Sequence, residues 1–364
     1  MKSIWLLLAL TLSANAQQSW QFAIAGDSRN CGDVVMPAIA TSVQATKAQF
    51  YWHLGDFRKI SDFDDDMLAA AEVKNAKLSI SDYMKQAWPD FIKWQANRFT
   101  TVPIYLGIGN HETTSPKTKS EWIIQFGDWL TLPVIVRQRL ADNPNDHQLK
   151  AYYHWIQGGV DFLNLDNADY SFDSEQMNWI KARLKYAMEH PEIKTIVVGM
   201  HGALPHSLSC DHSMNQTPQG ERNGVIVYKQ LLDAVKAGKK VYVFASHSHF
   251  KLENVFDTEY WRNNGGVLPG WIIGTAGAIR YRLPDVTAGM PVSRAQTDVY
   301  GYYLCTVAPD GSLTVDFREI KRGDVPADVE NAFGAGVDRC YAGNSDMQEM
   351  KSAKCVANVP CAMP

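Results

Sequence analysis

The 364-residue sequence has no long apolar run beyond its first residues, no excess of positive charge, no internal repeat and no low-complexity segment. A transmembrane helix needs about 20 consecutive apolar residues, so none is predicted after the N-terminus. The formal net charge is −4, so the sequence lacks the excess of basic residues that is typical of proteins that bind a nucleic acid duplex. Any anionic ligand would have to be attracted locally, and metal ions are suited to that.

The N-terminal residues have the pattern of a secretory signal peptide. Lys2 is followed by an apolar stretch from Ile4 to Leu12 and by the small-residue sequence Ala14-Asn15-Ala16. The apolar stretch is too short to span a bilayer as a stable helix. We therefore predict that residues 1–16 are removed and that the mature chain is exported, to the periplasm or outside the cell.

The chain has six cysteines, which in an exported protein predict disulfide bonds. The expected pair is Cys31–Cys210, because both residues lie beside candidate site segments. At least one further bridge is expected within the C-terminal tail, which contains Cys340, Cys355 and Cys361. The pattern leaves other pairings open, including a free Cys31 close to the site.

Apolar runs of strand character alternate with helical patterns along the chain, which predicts an α/β fold. Two strands are expected to meet at Gly158-Gly159, and helices are expected at 34–47, 175–189 and 225–237. A helical insert is predicted at about 62–98, and Pro89 is expected to break it because proline interrupts the backbone hydrogen bonds of a helix.

Five of the strand-like runs end in polar residues of one chemical kind. The segments are Gly26-Asp27-Ser28-Arg29, Gly55-Asp56, Gly109-Asn110-His111-Glu112, His201 and His247-Ser248-His249. The carboxyl ends of parallel strands meet in one crevice of an α/β sheet. Aspartate, asparagine and histidine together form a mixed oxygen and nitrogen ligand set, which suits two hydrolytic ions such as Mn, Fe or Zn.

The order and spacing of these segments resemble the calcineurin-like metallophosphoesterase family over residues 20–280. The resemblance implies a four-layer α/β/β/α sandwich with the metal crevice at the strand ends. We accordingly predict a catalytic domain at 17–322 and a disulfide-containing extension at 323–364. The set also resembles that of purple acid phosphatases in Asn110-His111-Glu112 and in the Val198 to His201 spacing, although Lys59 stands where those enzymes have tyrosine.

The resemblance implies a role for each motif residue. Asp56 is the candidate bridge between two metal ions, since a shared carboxylate offsets the repulsion of two nearby cations. Asn110, His201 and His247 are implied to join it at one metal, whereas Asp27 and His249 join it at the other. These residues are the predicted metal ligands.

The histidine of Asn110-His111-Glu112 is the predicted proton donor to the leaving alcohol, because histidine titrates near neutral pH. Glu112 is predicted to orient it. In the long polar loop after His201, His206 and His212 are candidate substrate contacts.

Arg29 departs from the family pattern, which has a ligating histidine there, and arginine cannot ligate because it stays protonated. Three interpretations remain open: water or a Cys31 thiolate fills the gap, Arg29 clamps the substrate phosphate, or only one metal binds. The preferred one is a phosphate clamp with a water ligand. Arg58 is a further candidate for the crevice, and the acidic run Asp62 to Asp66 is expected to be a solvated surface.

The predicted function is metal-dependent hydrolysis of a small phosphorylated substrate outside the cytoplasm. A diester or nucleotide diphosphate substrate is an alternative, and so is an exported binding protein with an impaired site. The sequence leaves the oligomeric state open.

Overall fold

The computed structural model describes residues 18–69, 78–210 and 212–342. The predicted signal peptide and the tail cysteines Cys355 and Cys361 lie outside these ranges. Within them, no helix is both long enough and apolar enough to cross a membrane.

Two sheets form the centre of the fold. Their strands are β1 (Trp20–Ala25), β2 (Ala48–His53), β3 (Ile104–Leu106), β4 (Tyr153–Gln157), β5 (Val160–Asn164), β6 (Thr195–Met200), β7 (Lys240–Ala245), β8 (Lys251–Glu253), β9 (Gly270–Ile273), β10 (Ala295–Gln296), β11 (Gly301–Val307) and β12 (Leu313–Glu319). The first sheet has five strands in the order β12-β11-β1-β2-β3, and the second has seven in the order β10-β8-β9-β7-β6-β5-β4.

The strands that precede the predicted site segments are parallel to one another within each sheet. In the first sheet β1, β2 and β3 are parallel, and in the second β5, β6, β7 and β9 are parallel. Their carboxyl ends therefore lie at one edge of each sheet. The turn at Gly158-Gly159 joins β4 to β5 as an antiparallel pair, as the sequence predicts.

The inner faces of the two sheets pack on each other through aromatic side chains. Phe22 of β1 contacts Phe162 of β5 with ring centroids 5.1 Å apart, and Trp52 of β2 contacts Trp155 of β4 at 5.2 Å. Because successive strand residues point to opposite faces, Phe244 joins this inner core while its neighbours on β7 face the other way.

Helices cover both outer faces, which completes the α/β/β/α sandwich predicted from the sequence. On the second sheet the helices Ser174–Glu189 and Pro218–Lys236 bury an apolar stripe against Ile196 and Val243. Within the described ranges, the remaining α-helices are Gly32–Gln44, Asp65–Ala69, Ile80–Trp94, Lys119–Gln125, Gly127–Leu130, Pro133–Asp142, Glu259–Asn263, Ala327–Phe333 and Ala335–Tyr341.

Pro89 does not break the helical insert, contrary to the expectation, and lies inside the helix Ile80–Trp94. Its ring deprives the carbonyl of Lys85, four residues earlier, of a helical donor. Both residues are exposed, so water can satisfy that carbonyl. Trp88 and Phe91 are buried in the core and hold the helix on both sides of the proline.

The predicted Cys31–Cys210 pair is wrong, because Cys31 forms a disulfide with Cys340. Cys210 is also disulfide-bonded, and Cys305 is a buried free thiol. The two C-terminal helices pack Val329 and Val337 into the main core, and this packing places Cys340 beside Cys31. A Cys31 thiolate is thereby removed from the candidate metal ligands.

One buried histidine on strand β4 of the second sheet is held between two carboxylates. His154 Nδ1 lies 2.7 Å from Asp161 Oδ1, and its Nε2 lies 2.5 Å from Asp142 Oδ2. Asp142 also pairs with Arg183. Burial alone would lower the pKa of His154, but the two carboxylates raise it to about 9, so the ring carries a proton at neutral pH.

This histidine should make stability depend on pH. A pKa raised from 6.5 to about 9 stabilises the fold below pH 6.5, by about 3 kcal/mol, and the contribution is lost as the pH rises to about 9. We expect His154→Gln to lower the free energy of unfolding strongly at pH 6 and much less at pH 9.5. Urea unfolding at both pH values measures this, with the exposed His147→Gln as control. An equal loss at both pH values would contradict the ion pair.

Candidate metal centre

Three of the predicted ligands follow their strands in the left-handed backbone conformation. Asp27, Asp56 and His247 have φ values of 59°, 60° and 63°. This conformation costs residues with a side chain roughly 1–2 kcal/mol each, and such strain concentrates at functional sites. Hydrogen bonds between the two loops help to offset it: Asp27 N donates to Gly55 O and Ser28 N to Asp56 O, at 3.0 and 2.9 Å.

Glycine at position 109 allows the loops after β2 and β3 to approach closely. A Cβ atom on Gly109 would lie 2.3 Å from Asp56 Oδ1 and 2.9 Å from His201 Cε1. Any larger residue would therefore displace two of the predicted ligands, which explains the glycine before Asn110.

Asp56, Asn110, His201 and His247 form what we call the second ligand group. His201 Nε2 lies 3.3 Å from Asp56 Oδ1, 3.0 Å from Asn110 Oδ1 and 3.1 Å from His247 Nδ1. The other ring nitrogen of His201 faces the carbonyl of Leu54 at 3.0 Å. Atoms with lone pairs thus converge from four loops, as around a cation.

Asp27, Asp56 and His249 form what we call the first ligand group. Their ligand atoms lie within 4.8 Å of one another, and His249 Nε2 is 3.3 Å from Asp27 Oδ1. Asp27 Oδ1 and Asp56 Oδ2 are buried and accept no hydrogen bond from the residues that the structure describes. A buried carboxylate oxygen without a hydrogen bond is energetically costly, and a bound cation would remove that cost.

Asp56 and His201 of the second ligand group stabilise each other's charged forms. Burial would raise the pKa of Asp56, but nearby His201 and His111 hold it well below its usual range. Burial would lower the pKa of His201, but Asp56 raises it to about 9. A proton on His201 therefore balances Asp56 in the absence of another cation, and a metal ion would take the place of that proton.

Both ligand groups fit divalent metal ions by the chemistry of their atoms. Carboxylate, amide and imidazole donors together suit ions of the Mn, Fe and Zn kind. Asp56 belongs to both groups, and its Oδ1 lies 3.3 Å from His201 Nε2 of the second group. The sequence-predicted ligands Asp27, Asp56, Asn110, His201, His247 and His249 are thus brought together in the arrangement of two sites with one shared carboxylate.

His111 lies beside the centre, whereas the predicted role of Glu112 in orienting it does not match its contacts. His111 Nδ1 faces the carbonyl of Lys59 at 2.9 Å. Glu112 instead accepts hydrogen bonds from the backbone N–H groups of Asp56, Phe57 and Gly109, at 2.8, 2.9 and 2.8 Å. Burial and nearby Asp56 raise the pKa of Glu112 to about 8, against these three donors. Glu112 therefore fastens the Asp56 loop to the Asn110 loop.

Arg29 points into the crevice, in contact with residues of the first ligand group. Its side chain is 10% exposed, and its Nε lies 3.8 Å from Asp56 Oδ2. Its Nη2 donates to Tyr281 Oη at 3.0 Å, and Tyr281 stacks on His249 with ring centroids 3.9 Å apart. Tyr281 gives no signal in the sequence, because it lies in an irregular segment after β9.

Arg58 does not face the crevice, contrary to the expectation. Its side chain is fully buried, with Nη2 2.7 Å from Asp33 Oδ1 and Nη1 3.3 Å from Asp64 Oδ2. Asp66 lies 3.7 Å from the same guanidinium, and Tyr83 Oη donates to Asp64 at 2.7 Å. The acidic run is therefore only partly a solvated surface, because two of its aspartates surround an arginine inside the protein. A buried arginine needs such partners, which sequence spacing alone does not reveal.

The loop after His201 contributes a histidine to the centre, and it is not His206. His206 Nε2 lies 3.2 Å from Glu221 Oε1, and its ring stacks on Tyr260. His212 instead stacks on His247 with ring centroids 4.8 Å apart. The two are equivalent in sequence, and only the path of the loop distinguishes them.

Asn167 is a residue of the centre that the sequence analysis missed. Its Oδ1 accepts hydrogen bonds from the backbone N–H groups of His201 and Gly202, both at 3.1 Å. It follows the carboxyl end of β5, which is the same signal that identifies the other site segments.

No protein-family model matches the sequence, and no curated protein matches it in sequence. Solved structures of the metallophosphoesterase type share its fold. One is a purple acid phosphatase, PPD1, from seeds of yellow lupin (Lupinus luteus), with a TM-score of 0.53, 16% identity, and coverage of 84% of this chain and 52% of that one. Another is PhoD, with a TM-score of 0.53, 12% identity, and coverage of 84% of this chain and 72% of that one.

The chain thus has a metallophosphoesterase-type fold, and it spans about half the length of the purple acid phosphatase. At these identities the likeness concerns the fold alone. The identity of the site residues rests on the chemistry and geometry described above.

Metal binding should depend on pH through His201. Below its pKa of about 9 this ring holds a proton that a metal ion at the second ligand group must displace. The affinity for Mn²⁺ should therefore rise about tenfold per pH unit from about pH 7 to 9 and level off above. Titration calorimetry in two buffers of different ionisation enthalpy should detect about one proton released per ion at pH 7. A pH-independent affinity without proton release would contradict this assignment.

Proposed function

We propose that this protein is an exported metal-dependent phosphoesterase that hydrolyses the phosphate ester of a small substrate. The observation that carries the proposal is the convergence of two ligand groups on the shared carboxylate of Asp56. Two metal ions about 3.5–4 Å apart with one bridging carboxylate are the arrangement used for in-line displacement at phosphorus. The metallophosphoesterase-type fold supports the same interpretation.

Bound divalent ions would supply Lewis-acid polarisation of the phosphoryl oxygens and a water nucleophile at neutral pH. The second ligand group would hold one ion through Asp56, Asn110, His201 and His247, and the first would hold the other through Asp27, Asp56 and His249. Asn167 fixes the backbone of His201, and Glu112 fixes the backbone of Asp56.

The remaining polar groups of the crevice would bind the substrate and move a proton. The planar guanidinium of Arg29 is suited to pair with two phosphoryl oxygens. The Nδ1 atom of His111 is committed to the Lys59 carbonyl, so its Nε2 faces the crevice. In the proposed reaction, a proton on Nε2 passes to the leaving alcohol oxygen.

The proposed export rests on the signal-like N-terminal sequence. A disulfide bond in the folded chain is consistent with it. Disulfide bonds persist in oxidising compartments, and Cys31–Cys340 links the loop after β1 to the C-terminal helices.

Two substitutions should separate metal binding from proton transfer. Asp56→Ala removes the carboxylate common to both ligand groups and should abolish metal binding and activity. His111→Ala should leave metal content unchanged while lowering turnover by roughly 10²- to 10⁴-fold. Elemental analysis and steady-state kinetics measure both effects.

His190→Ala is a suitable control, because His190 precedes β6 at the end opposite to His201. Equal loss of metal in the His111 and Asp56 variants would contradict the separate roles. A panel of phosphate monoesters, diesters and nucleotide diphosphates, tested on the metal-loaded protein, decides the substrate class.

A further inference from the structure

The guanidinium of Arg29 donates to two histidine rings that the proposed reaction needs. Its Nη1 lies 2.7 Å from His111 Nε2, and its Nη2 lies 3.1 Å from His249 Nε2. Arg29 carries only donors and stays protonated. Both imidazole nitrogens must therefore present a lone pair to it.

His249 has only one lone pair to offer. Its Nδ1 lies 2.6 Å from the carbonyl of Ile279, and a carbonyl oxygen can only accept, so the ring proton is on Nδ1. The lone pair on Nε2 can be given to Arg29 or to a metal ion at the first ligand group, but not to both. The observed arrangement gives it to Arg29.

The same reasoning applies to His111. Its Nδ1 proton is held by the Lys59 carbonyl at 2.9 Å, and its Nε2 lone pair faces Arg29. A proton on Nε2, which the proposed reaction requires, would point at the cationic guanidinium. The Arg29 side chain thus engages the Nε2 lone pairs of both a candidate metal ligand, His249, and the proposed proton donor, His111.

Arg29 is nevertheless a poor permanent substitute for a metal ion. Asp27 Oδ1 and Asp56 Oδ2 receive no hydrogen bond from it or from any other described residue, and its own buried Nε has no acceptor among them. The distance from Nε to Asp56 Oδ2 is 3.8 Å, which is too long for a hydrogen bond. Arg29 therefore leaves two buried carboxylate oxygens of the first ligand group without a hydrogen-bond donor, and a bound cation would satisfy them.

We infer that Arg29 keeps a metal ion out of the first ligand group until a phosphate anion draws the guanidinium away. A phosphoryl group offers two charged oxygens to the planar fork, and such a charge-assisted pair is stronger than hydrogen bonds to neutral imidazoles. Its binding releases the Nε2 atoms of His249 and His111 together. The second ion and the proton donor are thus available only when substrate is present. This inference rests on the proposed function.

The test counts metal ions on the mature protein with and without inorganic phosphate. Metal-free protein is titrated with Mn²⁺, and bound metal is measured by equilibrium dialysis and elemental analysis. The variants are Arg29→Gln, which removes the charge, and Arg29→His, which offers a ligand in its place. Arg282→Gln is the matched control, because this exposed arginine follows Tyr281 and undergoes the same substitution.

We expect the wild-type protein and Arg282→Gln to bind one Mn²⁺ per chain without phosphate and two with it. Both Arg29 variants should bind two without phosphate, the second one roughly 10- to 100-fold more tightly than wild type. Electron paramagnetic resonance gives an independent measurement, since ions about 3.5–4 Å apart are magnetically coupled. The signal of an isolated Mn²⁺ should give way to that of a coupled pair.

Two results would overturn the inference. One is a wild-type protein that binds two ions without phosphate as tightly as the Arg29 variants do. The other is an equal effect of phosphate in the wild-type protein and in both Arg29 variants, which would mean that the anion merely bridges the ions. Absence of any bound metal under all conditions would instead refute the proposed function, so the two failures are distinguishable.

Discussion

The burial of the aspartates Asp27 and Asp56 in one crevice is the constraint on which the rest of this structure depends. Both are fully buried, and each keeps an oxygen that no described residue satisfies. An unpaired buried carboxylate is costly, so the surroundings must provide positive charge. Histidines, an arginine and, in the proposed function, metal ions provide it. The left-handed backbone at both aspartates shows that the fold tolerates local strain to keep them there.

The architecture explains how such a crevice can exist in a stable protein. The two sheets bury an aromatic core between them, and their parallel strands end at the same side. The loops that carry the polar residues are therefore attached to rigid elements. Glu112 and Asn167 then fasten these loops to one another through backbone hydrogen bonds. The polar centre is positioned by these contacts, while the core supplies the stability.

Arg29 sets the balance of positive charge and lone pairs in the centre. A histidine would add a lone pair to the first ligand group, whereas Arg29 adds a positive charge and takes lone pairs from His249 and His111. The arginine that follows Asp56 by two positions has a different role. Arg58 is surrounded by carboxylates in the interior and serves the packing of the insert. Charge and residue type therefore do not decide which arginine faces the crevice.

The sequence alone determined the α/β class, the strand ends that carry the candidate ligands, and the grouping of Asp27, Asp56, Asn110, His201, His247 and His249. These follow from local patterns, because a strand of apolar residues that ends in a ligand-type side chain is a short-range signal. The tertiary structure decided what depends on contacts between distant segments. In the folded chain Cys31 forms a disulfide with Cys340, and Arg58 is buried in the interior. Glu112 accepts hydrogen bonds from backbone N–H groups, and His212 rather than His206 contacts the centre. Such contacts depend on how loops and helices that are far apart in the chain pack together, and the spacing of residues within a segment does not predict that packing.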